Sequence, residues 1–249
     1  MRAFSASLIY LIDSTIFGAT QEVGAMVRKT FSSYVPFVAL LILLDTSLWG
    51  RGTKNGLTEE KVPLSVSVYN EAGVPREVLS RAEAAASRIF QRAGIAVSWL
   101  NCEVRPASKQ ASTACLEVAF PKHLQLRIVR KSAGLNGEAM GLSFQGEDGI
   151  GCLADLFYGP MEELERSEGT DIASLLGHVA AHELGHLLLG SHSHAVAGIM
   201  QARWTTDELT SAEAARMVFL DQESQKMKGR LLGRREASGP VEDPTSSRL

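Results

Sequence analysis

Residues 182–186 read His-Glu-Leu-Gly-His, an H-E-x-x-H motif. On a helix, residues four apart sit about 40° round and about 6 Å along from one another. His182 and His186 therefore project from one face and can bind a single ion. Glu183 lies beside them, where its carboxylate can take a proton from a water at the metal. A catalytic zinc takes three protein ligands and keeps one position open, so a third ligand is expected once the chain has turned. His192 and His194 both qualify. His178 also stands in line, but it lies about 12 Å from His186 along the helix axis, too far to share the ion. It reads as a hydrogen-bonded or solvated helix histidine.

The element that must position these groups is a helix over residues 171–190. Asp171 suits its N-cap and Gly190 its end. Leu175, Leu176, Val179, Leu184, Leu187 and Leu188 recur at helical spacing, which predicts a buried helix. Polar side chains on a buried helix are costly unless they share a partner, and a metal is such a partner.

Residues 182–200, with His192 ten residues after His182 and Met200 eight after His192, resemble the metzincins. Their long motif is H-E-x-x-H-x-x-G-x-x-H followed by a Met-turn. The spacing is most similar to the matrixin-like branch. The resemblance implies zinc as cofactor, with His182, His186 and His192 as ligands and Glu183 as general base. Met200 would be the Met-turn residue beneath the metal. One departure stands out. The family's glycine falls at Leu189, and Gly190 comes one residue late. A helix one residue longer would bring His194 into the third position, although the family spacing favours His192. Some metzincins carry a tyrosine two residues after the methionine; Ala202 stands there, and Arg203 reads as a solvated or structural arginine.

The remaining pattern is of one domain over residues 62–228. Residues 62–69 alternate as a strand, residues 75–93 carry a helical stripe from Val78 to Phe90, and residues 95–100 form a second strand. A strand, a long helix and a strand imply a parallel pair with a crossover helix. Further strands are predicted at residues 123–130, 139–144 and 150–158, the last holding Asp155, which suits a sheet edge or rim. A helix with an apolar face at Leu209, Ala212, Met217 and Leu220 is predicted over 207–222. The fold class is α+β: a metzincin-like (zincin) domain with a mixed sheet of four or five strands, a crossover helix, an active-site helix and a C-terminal helix. The resemblance implies that an edge strand, 139–144 or 150–158, pairs with extended peptide substrate.

Residues 1–50 read as an export signal or N-terminal anchor. A ten-residue apolar run at 35–44 follows Arg28 and Lys29, and Met26 would make an ordinary signal-peptide start. Residues 51–61 read as a linker and 229–249 as a disordered tail. Cys102 and Cys115 bracket a polar loop; a disulfide there would contribute about 3 kcal/mol and belongs in an oxidising compartment. Cys152 is then a free thiol. Glu147, Asp148 and Asp155 match no calcium-loop spacing. A net charge of −3 and 6% aromatic residues argue against a nucleic-acid partner. The expectation is a monomeric, exported zinc metalloendopeptidase acting on peptide or protein, meeting a membrane only through its N-terminal anchor. The alternatives are a non-catalytic zinc-containing binding or scaffold protein of the same fold, and a hydrolase of a small non-peptide amide.

Overall fold

Alternation at residues 62–69 yields a strand because every second side chain falls on the same face. Val62, Leu64, Val66 and Val68 are buried on one face of β2 (Val62–Asn70). The computed structural model describes residues 4–12, 60–103, 113–131, 139–191, 193–205, 207–209 and 214–233. The apolar run at 35–44, Met26, the linker up to residue 59 and the tail beyond residue 233 lie outside the described residues.

After β2, the Asn70 side chain accepts from the Val74 amide and donates to the Val74 carbonyl (2.8 and 2.9 Å), closing the turn into α1 (Arg76–Arg92). This helix buries Ala82, Ala85, Ala86, Ile89 and Phe90. β3 (Ile95–Cys102) returns parallel to β2. On the other side of β2 lies β4 (His123–Val129), also parallel, and beyond it β6 (Leu153–Phe157), parallel again. β5 (Ala139–Gly146) runs antiparallel to β6. These five strands form the mixed sheet of an α+β fold. Two more extend it: β1 (Phe4–Ile12) lies antiparallel along the outer side of β5, and β7 (Arg203–Thr205) pairs parallel with β1. The order among the described residues is β3-β2-β4-β6-β5-β1-β7: the five-stranded mixed sheet matches the expected four or five, and β1 and β7 add to it. A single helical turn, α2 (Thr113–Leu116), carries Cys115, which is disulfide-bonded to Cys102. Cys152 is a free, half-buried thiol.

Among the described residues, β6 is followed by α3 (Tyr158–Glu168), α4 (Ile172–Leu189) and, later, α5 (Asp221–Leu231). By length and composition α4 could cross a membrane, yet nearly all of it is buried as the core helix of the domain. It packs on α1, where a side chain on Gly177 would meet the Ala82 carbonyl oxygen at 2.5 Å and the Ala85 methyl at 2.7 Å. Only glycine allows that approach, and it seats α4 against α1.

Two expectations are corrected. Asp155 is not at a sheet edge: β6 lies inside the sheet, between β4 and β5, and Asp155 is 6% exposed. Its charge is tolerated because the cross-strand neighbour Arg127 donates to both carboxylate oxygens, at 2.9 and 2.6 Å. The same placement removes residues 150–158 as a peptide-pairing edge. The predicted helix over 207–222 is not continuous: Ala214 is helical, but residues 215–220 are not. A 3-10 turn spans Asp207–Leu209, and a further helix starts at Asp221. Met217 and Phe219 are buried from a non-helical segment whose Val218 carbonyl accepts from the Ile199 amide (3.0 Å). The Glu223 carboxylate then caps the Leu220 amide at 2.7 Å and starts α5, which runs through residues 229–231 of the expected tail.

Candidate metal centre

Asp171 accepts from the Ala173 amide at 3.2 Å and opens α4; Gly190, at φ 95°, ends it, with its amide on the His186 carbonyl. His182, Glu183 and His186 occupy the last two turns, and none of the three is exposed. The chain then doubles back and brings His194 over the helix end. The Nε2 of His186 lies 2.9 Å from that of His182 and 3.1 Å from that of His194. The three histidines form one cluster whose ligating atoms all lie within 4.8 Å of one another. His194 is exposed, so the cluster faces solvent on that side. His192 lies outside the described residues. His178 is elsewhere: its ring nitrogens face the Ser174 carbonyl (2.7 Å) and the Ala214 carbonyl (3.0 Å).

The rings are oriented from behind. The Nδ1 of His182 lies 2.7 Å from the Ile199 carbonyl, which can only accept, so that nitrogen carries the proton. Burial, reinforced by the nearby His194, outweighs the pull of that carbonyl and drives the His182 pKa down to about 3. A neutral ring with its proton on Nδ1 has a free lone pair on Nε2, as metal ligation requires. The Nδ1 of His186 meets the Ser193 hydroxyl at 2.8 Å, and burial, then His182 and His194, lower its pKa to about 2. Burial lowers His194 as well. The indole of Trp204, fully buried, stands edge-on to His182 at 5.5 Å between ring centres.

Met200 is fully buried against α4. Gly185 makes room for it, since a side chain there would meet the Met200 sulfur at 2.6 Å and the Phe219 ring at 2.8 Å. The loop above is tied by the Ala195 amide on the Met200 carbonyl (2.9 Å).

Neutral imidazole lone pairs aimed at one another about 3 Å apart repel unless a cation lies among them. Nitrogens held at about 2.0–2.1 Å on a tetrahedral zinc would stand about 3.3–3.4 Å apart, close to the observed 2.9 and 3.1 Å. Glu183 supplies a second sign. Both its carboxylate oxygens are buried without a hydrogen-bond partner. Burial raises its pKa well above the ordinary carboxylate value, against the pull of the Ser143 hydroxyl and amide. The donor set, its tautomers and the unpartnered carboxylate fit a divalent zinc-type ion.

Two supports of the site gave no sequence signal of their own. The Gln145 amide nitrogen, on β5, donates to the His186 carbonyl. Ser193 orients His186 from the loop between the candidate ligands. The only trace of Gln145 was the period-two set Ala139, Gly141, Ser143 and Gln145, small or polar where a strand facing a core helix is ordinarily apolar. Glu147 and Asp148 stay outside the site: Asp148 accepts from the Ile150 amide, and Arg203 is exposed. A cavity of about 680 Å³ lies at the other end of α4, lined by Arg81, Arg88, Ser174 and His178 and by none of the clustered histidines.

No protein-family model matches the chain, and no curated protein does. Among solved structures, the chain is similar to a zinc-dependent peptidase from Methanocorpusculum labreanum, at 13% identity and a TM-score of 0.43. That match covers 65% of this chain and 99% of the other. It is also similar to archaemetzincin from Methanopyrus kandleri, at 16% identity and a TM-score of 0.41, covering 75% of this chain and 100% of that one.

Proposed function

We propose that the chain is a zinc-dependent metalloendopeptidase of metzincin type, with His182, His186 and His194 as ligands and Glu183 as general base. The observation that carries the reading is the convergence of three neutral imidazoles beside a buried, unpartnered carboxylate. The family spacing for His192 led to the matrixin-like branch; the clustered His194 favours the broader metzincin class instead.

A zinc ion held there would supply a Lewis acid, polarising a carbonyl and making water a nucleophile at neutral pH. The chain's own groups do the rest. Glu183 accepts the attacking water's proton on a carboxylate oxygen and returns it to the leaving amine. Burial raises its proton affinity, which suits a group that takes up and returns a proton. The carbonyl of Ile199 and the hydroxyl of Ser193 hold the two helix histidines in the ligating orientation.

Extended peptide is the substrate class this reading favours. The outer edge of β5 already accepts extended backbone, since residues 4–12 lie along it from the Phe4–Gly146 pair to the Tyr10–Ala139 pair. A substrate would take that edge in place of β1, held by main-chain hydrogen bonds with loose sequence preference. Export agrees with the Cys102–Cys115 disulfide, which persists in an oxidising compartment.

The test is cleavage of a diverse peptide mixture by the zinc-loaded full chain, read by mass spectrometry beside Glu183→Ala. Glu183→Ala should keep its zinc and lose about 10²–10⁴-fold in rate. Equal cleavage by both proteins would sink the assignment of the base. Silence from both, with zinc bound, would move the reading to a non-catalytic zinc-binding protein.

A further inference from the structure

The inner face of β5 shows how the carboxylate of Glu183 is held. Gly141, Ser143 and Gln145 are all buried along that face, and each meets α4 within the segment Glu183–His186. Gln145 holds the His186 carbonyl. A methyl group on Gly141 would stand 2.6 Å from the Glu183 Cγ, 2.6 Å from Oε1 and 2.9 Å from Cδ. Three successive atoms of one side chain thus occupy the volume that any other residue at 141 would fill. Glu183 is wholly buried, so it has no room to swing aside. The backbone at Gly141 is not in the left-handed region, so the glycine is required for space and not for conformation.

Two residues on, Ser143 is also wholly buried, and its Oγ has no partner. The hydroxyl and the amide of Ser143 both lie beside the Glu183 carboxylate. The geometry stops short of a closed hydrogen bond. Three of the few unpartnered buried side-chain oxygens, Ser143 Oγ and the two of Glu183, thus fall at one interface. Leaving a buried polar atom unmade is costly, and a donor facing two acceptors removes that cost with a small rotation.

We propose that Gly141 and Ser143 are positioning residues for Glu183: Gly141 leaves the volume its side chain occupies, and the Ser143 hydroxyl donates to its carboxylate and fixes its direction. The role of this seat in turnover rests on the reading of Glu183 as the base; its existence does not. β5 therefore serves the site twice, with its outer edge pairing extended backbone and its inner face shaped to one carboxylate.

Two cycles on the full chain test this. In the first, melting temperatures are measured for wild type, Gly141→Ala, Glu183→Ala and the double variant. Gly141→Ala alone should lower the melting temperature by about 5 °C through overpacking. In the Glu183→Ala background, where the opposing atoms are gone, the same change should cost almost nothing. An equal loss in both backgrounds would overturn the steric seat, whether or not any variant hydrolyses peptide.

In the second cycle, Ser143→Ala should keep wild-type zinc content and KM while kcat falls about tenfold, the size of a lost charge-assisted hydrogen bond. The residual rate of Glu183→Ala should not fall further when Ser143→Ala is added. An unchanged kcat, or an equal loss in both backgrounds, would overturn the hydrogen bond. If the wild type hydrolyses nothing, the base reading falls, while the melting cycle still decides the seat.

Discussion

β4 and β5 both lie against α4, and they differ in what they present to it. β4 offers Leu126 and Ile128, which with Leu156, Leu176 and Ala180 make continuous apolar packing. β5 offers Gly141, Ser143 and Gln145. The first strand meets the N-terminal half of the helix, which carries alanines and leucines. The second meets the half carrying His182, Glu183 and His186. One helix is thus divided between a half that holds the domain together and a half whose polar groups need shaped, hydrogen-bonding neighbours. The stability of the first half allows the second to keep an unpartnered carboxylate and three neutral imidazoles at the end of a buried helix.

That division can be broken at several points. The largest effect is expected at the metal end. His194→Ala should weaken zinc binding by more than about 100-fold, beyond the cost of losing a supporting hydrogen bond, with the melting temperature of the metal-free chain little changed. A competitive chelator titration checks it, and His192→Ala run alongside should stay near wild type. Zinc affinity lost with His192→Ala and kept with His194→Ala would restore the spacing of the family motif.

On the β4 side, Leu126→Ala should cost about 2–5 kcal/mol of folding stability by opening a cavity. Denaturant unfolding measures the loss, and zinc affinity of the folded fraction should be unchanged. Gln145→Leu should do the reverse on β5. Stability should change by about 1 kcal/mol, while zinc affinity falls about tenfold because the His186 turn is no longer held.

The last effect is of pH. The folded chain holds His182 and His186 neutral down to about pH 3 and about pH 2, whereas the same rings in the unfolded chain take protons near pH 6.5. Between those limits the unfolded state binds more protons, so stability falls as pH is lowered. The contribution is fully present above pH 6.5 and is lost progressively below it. Amide exchange of the metal-free chain from pH 7.5 to 5 should show residues 182–190 loosening before residues 172–181. Uniform loosening would mean that the two halves of α4 are not distinct.

How much of this was legible in the sequence follows from the range of each interaction. The helix over 171–190 and the pairing of His182 with His186 depend on neighbours within a turn, and on Asp171 and Gly190 as cap and stop. They could be read directly. The third histidine could not be fixed, because it depends on where the helix ends. Gly190 ends it, one residue after the family's glycine position, and His194 is the ring brought to the cluster. Asp155 was misplaced because its partner Arg127 lies on a neighbouring strand, and no local pattern reveals such pairing. The apolar spacing of residues 207–222 was real, since Leu209 and Met217 are buried. Leu209 is buried from a 3-10 turn and Met217 from the non-helical stretch whose Val218 is tied to Ile199. The roles of Gly141, Ser143 and Gln145 exist only once β5 is laid against α4.

The most direct test of the central claim is zinc K-edge absorption spectroscopy on the purified full chain loaded with one equivalent of zinc. The account predicts three imidazole nitrogens at about 2.0–2.1 Å with one further light oxygen ligand and no sulfur, and loss of one imidazole in His194→Ala. A shell of oxygens alone, a sulfur ligand from Cys152, or an unaltered three-imidazole shell in His194→Ala would contradict it.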